Sequence, residues 1–281
     1  MTKIVTTVGG LRDDVATWKQ EGRRVGLVPT MGYLHEGHLS LITSALSDCD
    51  RVVVSIFVNP TQFGAGEDLN AYPRDLDRDL KLIAETGGHL AFVPGVEVMY
   101  PNGFSTRVEV DGLTDVMDGA ARPGHFNGVT QVVSKLLNQA QADVAVFGEK
   151  DWQQLAIIRR MATDLDVPTE IRGAPIVRDD YGLALSSRNA YLSADELTVA
   201  RKLNVILKKA AYDIAASEYP AAICEIAVES ILAAGFASVD YVECRDAETL
   251  EAIEKLGDRP ARLFAAAKIG RARLIDNVAV L

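Results

Sequence analysis

Two histidines with a glutamate and a glycine between them, His35-Glu36-Gly37-His38, lie in the run from Pro29 to Leu39 that also holds Met31, Gly32, Tyr33 and Leu34. The run follows a strand-like segment and opens a helix-like one, the place where doubly wound sheets bind nucleotides. Backbone N–H groups in a first helical turn lack intrahelical partners and attract anions, and Gly37 has no side chain to obstruct approach. Two imidazoles added there make a phosphate site that can also donate protons to a developing charge. The spacing is not that of a zinc protease, which sets its histidines at i and i+4 on one helix face. Capping and packing a helix start would use the same residues, so the motif alone leaves both roles open.

Two further segments have the same character. Gly148-Glu149-Lys150-Asp151 runs from a strand end toward a helix, with Gln154 just beyond. An ammonium there can pair with phosphate, and a carboxylate can accept from ribose hydroxyls. Leu185-Ser186-Ser187-Arg188 joins two hydroxyls to a guanidinium, the makings of a small anion clamp. Taken singly, a solvated helix start and a polar surface turn explain these two segments as well.

The elements that must position them follow from hydrophobic spacing. Residues 25–28, 52–58, 90–93 and 144–147 are short apolar runs, the second β-branched and almost unbroken, as a parallel strand covered on both faces requires. Helical spacing covers 37–47, 75–85, 128–139 and 152–164. Strands alternating with helices at these lengths predict a parallel, doubly wound α/β sheet over residues 1–176. Residues 177–281 differ: one long helix over 195–217, a second over 221–234, then strands at 238–244, 262–269 and 273–280 predict a smaller α+β domain. The stretch 59–74 has little regular pattern and reads as a candidate lid loop. Asp75, Asp77 and Asp79 alternate within a predicted helix, which marks a solvated face, so no metal ligand is assigned.

Bulk properties narrow the classes. With 281 residues, 48% hydrophobic and 24% charged, the chain can bury a proper core without metal or disulfide support. A net charge of −10 disfavours nonspecific binding to nucleic acid or anionic membranes, which needs an excess of Lys and Arg. Cys49, Cys224 and Cys244 form no CxxC or CxxH pattern, so neither a zinc ribbon nor a redox dithiol is expected, and a reducing compartment fits. No apolar run reaches membrane-spanning length and no secretory h-region is visible, so a cytoplasmic protein is expected.

The order HxGH, lysine after a later strand, then Ser-Ser-Arg resembles the adenylate-forming nucleotidyltransferase superfamily. Within it the chain is similar to the pantothenate synthetase family along nearly its whole length. The matching runs are 27–32 with His35 to His38, 55–64, 68–73, 122–128, 148–151, 186–188, 239–242 and 273–277. Leu185 stands where the family usually has Met, and Thr61 where it often has Met or Leu; neither is a catalytic position.

The resemblance implies a Rossmann-like domain binding ATP and pantoate, with the smaller domain closing over the ATP site. It implies ATP-dependent joining of pantoate to β-alanine through a pantoyl-adenylate, with Mg²⁺ carried on the ATP phosphates and a homodimer as the assembly. His38, His35, Lys150 and Arg188 would be catalytic. Met31, Gly32, Tyr33, Leu34, Glu36 and Gly37 would line the ATP site with both histidines. Gly148, Glu149, Lys150, Asp151, Val177, Leu185, Ser186, Ser187 and Arg188 would complete it. Gln62 and Gln154 look like pantoate ligands, since neutral amides bond hydroxyl and carboxylate without pinning the attacking oxygen. Asn59, Tyr72 and Arg122 are assigned to the same cavity, with a structural ion pair equally open for Arg122. A nucleotidyltransferase that keeps the nucleotide on its product and a nucleotide-binding regulatory module without turnover are the rival readings.

Overall fold

The computed structural model describes residues 2–64, 69 and 71–281. Asp68 of the 68–73 match, and residues 65–68 and 70 of the candidate lid, lie outside the described residues. The chain divides into two compact units, Met1–Glu149 with Ile157–Pro175, and Lys150–Ala156 with Ile176–Leu281.

The first unit opens with β1 (Lys3–Val5), α1 (Val8–Gln20), β2 (Val25–Thr30), α2 (Glu36–Leu46) and β3 (Arg51–Ile56). It continues with α3 (Leu76–Thr86), β4 (Leu90–Phe92), the short helices α4 (Val96–Met99) and α5 (Met117–Ala121), and α6 (His125–Ala140). Then come β5 (Val144–Gly148), α7 (Trp152–Asp164), whose first residues belong to the second unit, and β6 (Glu170–Ala174). The six strands form a parallel sheet in the order β1-β4-β3-β2-β5-β6. The winding reverses between β2 and β5, which pair Gly26 with Val144 and Leu27 with Ala145. Ligands of such sheets bind at the carboxyl ends of the strands flanking this switch point. Val52, Val53 and Val54 of β3 are fully buried, the expected consequence of a central parallel strand.

Edge strands follow different rules. Glu170 and Arg172 alternate charge along β6, and Arg172 reaches Asp48 with two bonds, Nη1 to Oδ1 at 2.7 Å and Nη2 to Oδ2 at 2.9 Å. The Arg172 guanidinium beside Asp48 holds that carboxyl below its usual range. A depressed carboxylate pKa gives stability that is full above the unfolded value and lost as pH falls through the folded one. Urea unfolding should therefore show Arg172→Ala less stable than the parent at pH 7, by about 0.5–1 kcal/mol because the pair is partly exposed. The gap should shrink below about pH 4, where the unfolded-state carboxylate takes up its proton.

The second unit holds α8 (Ala194–Ala200), α9 (Lys202–Ser217), α10 (Pro220–Ala233) and an antiparallel sheet of β7 (Ser238–Asp246), β8 (Ala261–Ile269) and β9 (Ala272–Val280). The single helix predicted over 195–217 is interrupted at Arg201. The backbone there stays right-handed, with φ −60° and ψ −24°, while the side chain leaves to bond Asp179 at 2.8 Å and to lie over the Tyr181 ring. Leu203, Leu207, Ile214 and Ile231 are buried with Leu263 and Ala265 to form this unit's core. The three cysteines are unpaired. Burial pushes the Cys244 thiol up to about 12, which removes thiolate reactivity there. Among the described residues no helix is long and apolar enough to cross a membrane.

Candidate active site

In the first unit the chain leaves β2 at the switch point and turns sharply. Gly32 (φ 81°) and Tyr33 (φ 52°) are consecutive left-handed residues, a conformation that glycine tolerates and tyrosine does not favour. His35 is then the N-cap of α2 and His38 its third residue. The Gly37 backbone N–H donates to His35 Nδ1 at 3.1 Å, and the His35 N–H donates to His38 Nδ1 at 3.3 Å. Backbone N–H groups can only donate, so both Nδ1 atoms accept, and each neutral ring carries its proton on Nε2. The two rings lie 4.1 Å apart between centroids. Capping and phosphate binding are thus compatible: the cap occupies Nδ1 and fixes the tautomer in which Nε2–H is a donor.

Asp79 corrects an expectation. Asp75 caps α3 through a bond from the Arg78 N–H, but Asp79 is 1% exposed rather than solvated. Its Oδ2 accepts from the Tyr33 N–H and its Oδ1 from the Leu34 N–H, both at 2.7 Å. The alternation of acidic residues failed as a guide because the helix start faces the glycine turn, whose two N–H groups need an acceptor. Burial pushes the Asp79 carboxyl above its usual range, and the two amides pull the other way.

The residues assigned to pantoate in this unit form a connected set. Gln62 Nε2 donates to Met31 Sδ at 2.9 Å, and Asn59 Nδ2 donates to Gln62 Oε1 at 3.2 Å. Asn59 also bonds the Gly128 carbonyl at 3.0 Å and accepts from the Tyr100 hydroxyl at 2.8 Å. A Cβ on Gly128 would stand 2.4 Å from the Thr61 carbonyl oxygen, so only glycine lets α6 approach this turn. Arg122 Nη1 is 3.0 Å from His125 Nε2, and His125 Nδ1 is 2.8 Å from the Gln62 carbonyl oxygen. Tyr72 packs edge-on against Phe63. Tyr100 and His125 therefore belong to this cluster and were not among the predicted residues. His125 lies in the matched run 122–128, which offered a signal, whereas nothing near Tyr100 in the sequence did. Gly148 ends β5, and Glu149 after it is the last residue of the unit's first segment.

In the second unit Lys150 is held by its backbone. Asn277 Nδ2 donates to the Lys150 carbonyl at 3.0 Å, and Arg262 Nη1 donates to Asn277 Oδ1 at 3.1 Å. The Arg262 guanidinium stacks 3.6 Å from the Trp152 ring, whose indole N–H donates to the Ala247 carbonyl at 2.7 Å. Lys150 Nζ is 3.8 Å from Asp151 Oδ1, and Gln154 is half-buried on α7. The Leu185 N–H donates to the Val177 carbonyl at 3.0 Å, so these two predicted ATP residues are paired across a hairpin. Ser186 caps the following turn, its hydroxyl accepting from the Arg188 N–H at 3.3 Å, with Ser187 and Arg188 as the first residues of that turn.

A parallel sheet with this switch point, and with an HxGH helix start on the turn after β2, agrees with the resemblance to the adenylate-forming nucleotidyltransferases. Comparison with known proteins takes this further. The family model described as pantoate-beta-alanine ligase matches residues 3–279. The chain is 53% identical over 280 residues to the pantothenate synthetase of Dinoroseobacter shibae, covering 100% of both chains. It is 55% identical over 278 residues to that of Sphingopyxis alaskensis, covering 99% of each. The crystal structure of pantothenate synthetase from Thermus thermophilus superposes with a TM-score of 0.93 at 45% identity, over 99% of both chains. The Francisella tularensis pantoate-beta-alanine ligase, complexed with beta-gamma ATP and beta-alanine, gives 0.84 at 34% identity over 99% of this chain and 98% of that one.

The chain belongs to the pantoate–β-alanine ligase family. Its reaction is the ATP-dependent condensation of pantoate with β-alanine to pantothenate, through a pantoyl-adenylate, with release of pyrophosphate and AMP.

Proposed function

We propose that the helix start at His35 and His38 serves the adenylation step as a preorganised donor set, with Lys150, Ser186, Ser187 and Arg188 supplying the remaining phosphate contacts. The supporting observation is the shared tautomer: both rings accept backbone N–H groups on Nδ1, which puts a donor Nε2–H on each. A carboxylate is a poor electrophile, so the pantoate oxygen attacks the α-phosphorus and pyrophosphate leaves. The β-alanine amine then attacks the activated carbonyl and AMP leaves with the bridging oxygen. No enzyme nucleophile takes part, so the protein contributes positioning and charge stabilisation. His38 donates to the oxygens of the pentacoordinate phosphorus as charge builds on them, and His35 contacts the phosphates. Lys150 bridges phosphates, and Arg188 with the two serines grips the pyrophosphate end. Met31, Gly32, Tyr33, Leu34, Glu36, Gly37, Gly148, Glu149, Asp151, Val177 and Leu185 line the nucleotide. Gln62 and Gln154 hold pantoate, helped by Asn59, Tyr72 and Arg122.

Mg²⁺ fits as an ion brought in on the ATP phosphates. Both Asp79 oxygens are taken by backbone amides, so this buried carboxylate is not assigned to the ion. On the phosphates the ion would neutralise charge during attack. The homodimer rests on the family resemblance, and light scattering from purified protein tests it.

Isotope transfer tests the order of bond making. With both carboxylate oxygens of pantoate labelled with ¹⁸O, one label should appear in AMP and one in the amide carbonyl of pantothenate. Unlabelled AMP would overturn the acyl-adenylate route.

A further inference from the structure

The turn that delivers the HxGH helix start is held from outside its own sequence. The Tyr33 and Leu34 amides both donate to the Asp79 carboxylate, at the start of α3. Arg78 adds a third bond to the same two residues, its Nη1 donating to the Leu34 carbonyl at 2.9 Å, and its guanidinium lies over the Tyr33 ring at 5.5 Å. Gly32 leaves room for this arrangement: a Cβ there would stand 3.0 Å from Asp79 Oδ2. The next residue after Leu34 is the N-cap histidine, so any shift of the 33–34 peptides is passed directly to His35. It reaches His38 through the bond between the His35 N–H and His38 Nδ1.

We infer that Asp79, assisted by Arg78, is a positioning residue for adenylation: it clamps the left-handed Gly32–Tyr33 turn and so sets where His35 and His38 stand. The inference rests on the phosphate role given to the two histidines above. It places in the reaction a carboxylate whose two oxygens are both engaged by backbone amides. Reacting groups displaced by about 1 Å can lose ~10²-fold in rate, so a clamp on the peptides next to a catalytic histidine has a large lever.

The test is Asp79→Asn, which nearly keeps shape and one acceptor but turns an NH₂ group toward the second backbone N–H. Single-turnover adenylation from ATP and pantoate should slow by about 10–100-fold. Amide formation from preformed pantoyl-adenylate should stay within about twofold of the parent, since no phosphoryl transfer remains in that step. Arg78→Ala, at a half-exposed side chain, should slow adenylation alone by a smaller factor, and it carries the test if Asp79→Asn fails to fold. A folded Asp79→Asn enzyme that adenylates at the parent rate would overturn the inference. So would one slowed equally in both half-reactions, because that outcome marks a general structural role. If Asp79→Asn does not fold, parental adenylation by Arg78→Ala overturns it in turn. Failure of the histidine assignment is distinguishable: His38→Ala would then adenylate normally, whatever Asp79→Asn does.

Discussion

A His38→Ala enzyme is expected to adenylate pantoate about 10²–10³-fold more slowly than the parent, the loss typical of removing one donor aimed at a developing oxyanion. The ring sits in the first turn of α2 with Nδ1 held by the His35 N–H, so Nε2 carries the donated proton. A donor that strengthens its bond as charge builds on the phosphorus oxygens changes kcat more than KM. Lys150→Ala should behave differently, weakening ATP binding and slowing adenylation together, because the proposed contact of its full positive charge with phosphate would be made in both ground and transition states. Alanine at position 38 also removes the cap on His35, which by itself costs about 1 kcal/mol of stability. His38→Asn separates the two effects, since its side-chain oxygen can still accept the His35 N–H but no Nε2–H remains. If capping were the whole role, His38→Asn would restore adenylation; the donor role predicts that it stays slow. Single-turnover rates, begun once from ATP and once from preformed pantoyl-adenylate, decide the matter. Parental adenylation by His38→Ala would leave this histidine a structural cap.

Asp276→Ala should destabilise the second unit by about 3–5 kcal/mol, the usual result of breaking a buried ion pair from one side. Asp276 on β9 is 4% exposed. Arg178 meets it in two bonds, Nη1 to Oδ2 at 2.7 Å and Nη2 to Oδ1 at 2.8 Å. The buried Asn204 Nδ2 donates to Oδ2 at 3.1 Å, and the Asn277 backbone N–H to Oδ1 at 2.7 Å. Alanine leaves a guanidinium and two N–H donors without their acceptor at once. Arg178 directly follows Val177, and Asn277 holds the Lys150 carbonyl, so the loss should also raise KM for ATP. Urea unfolding monitored by tryptophan fluorescence gives the stability change. Pairing Asp276→Ala with Arg178→Met should recover part of it, because the stranded charge is then gone. A midpoint unchanged in Asp276→Ala would show that the network contributes nothing net.

Much of this molecule was legible without coordinates. The unbroken valines of β3 announce a strand buried on both faces, and the alternation of such runs with amphipathic stretches implies a parallel sheet. The helix start at His35 and His38 was visible because glycine, histidine and the following apolar spacing all act within a few residues of one another. The matched runs likewise pointed to the family that the comparisons then established. Edge elements gave no such signal: β1 is three residues long, and β6 carries Glu170 and Arg172, since a strand paired on one side need not be apolar.

What tertiary structure alone decided is the set of contacts between residues far apart in the chain. Asp79 looked like one of several solvated carboxylates; its burial depends on a turn 45 residues earlier presenting two amides to it. The histidine tautomers follow from backbone geometry that residue types do not specify. Arg122 and Gln62 are joined through His125 because α6 meets the 59–62 turn at Gly128. Periodicity reports which face of an element is buried, and local motifs report what an element start can bind. Neither reports which distant polar group will satisfy a buried donor, because that partner is chosen by the packing of whole elements.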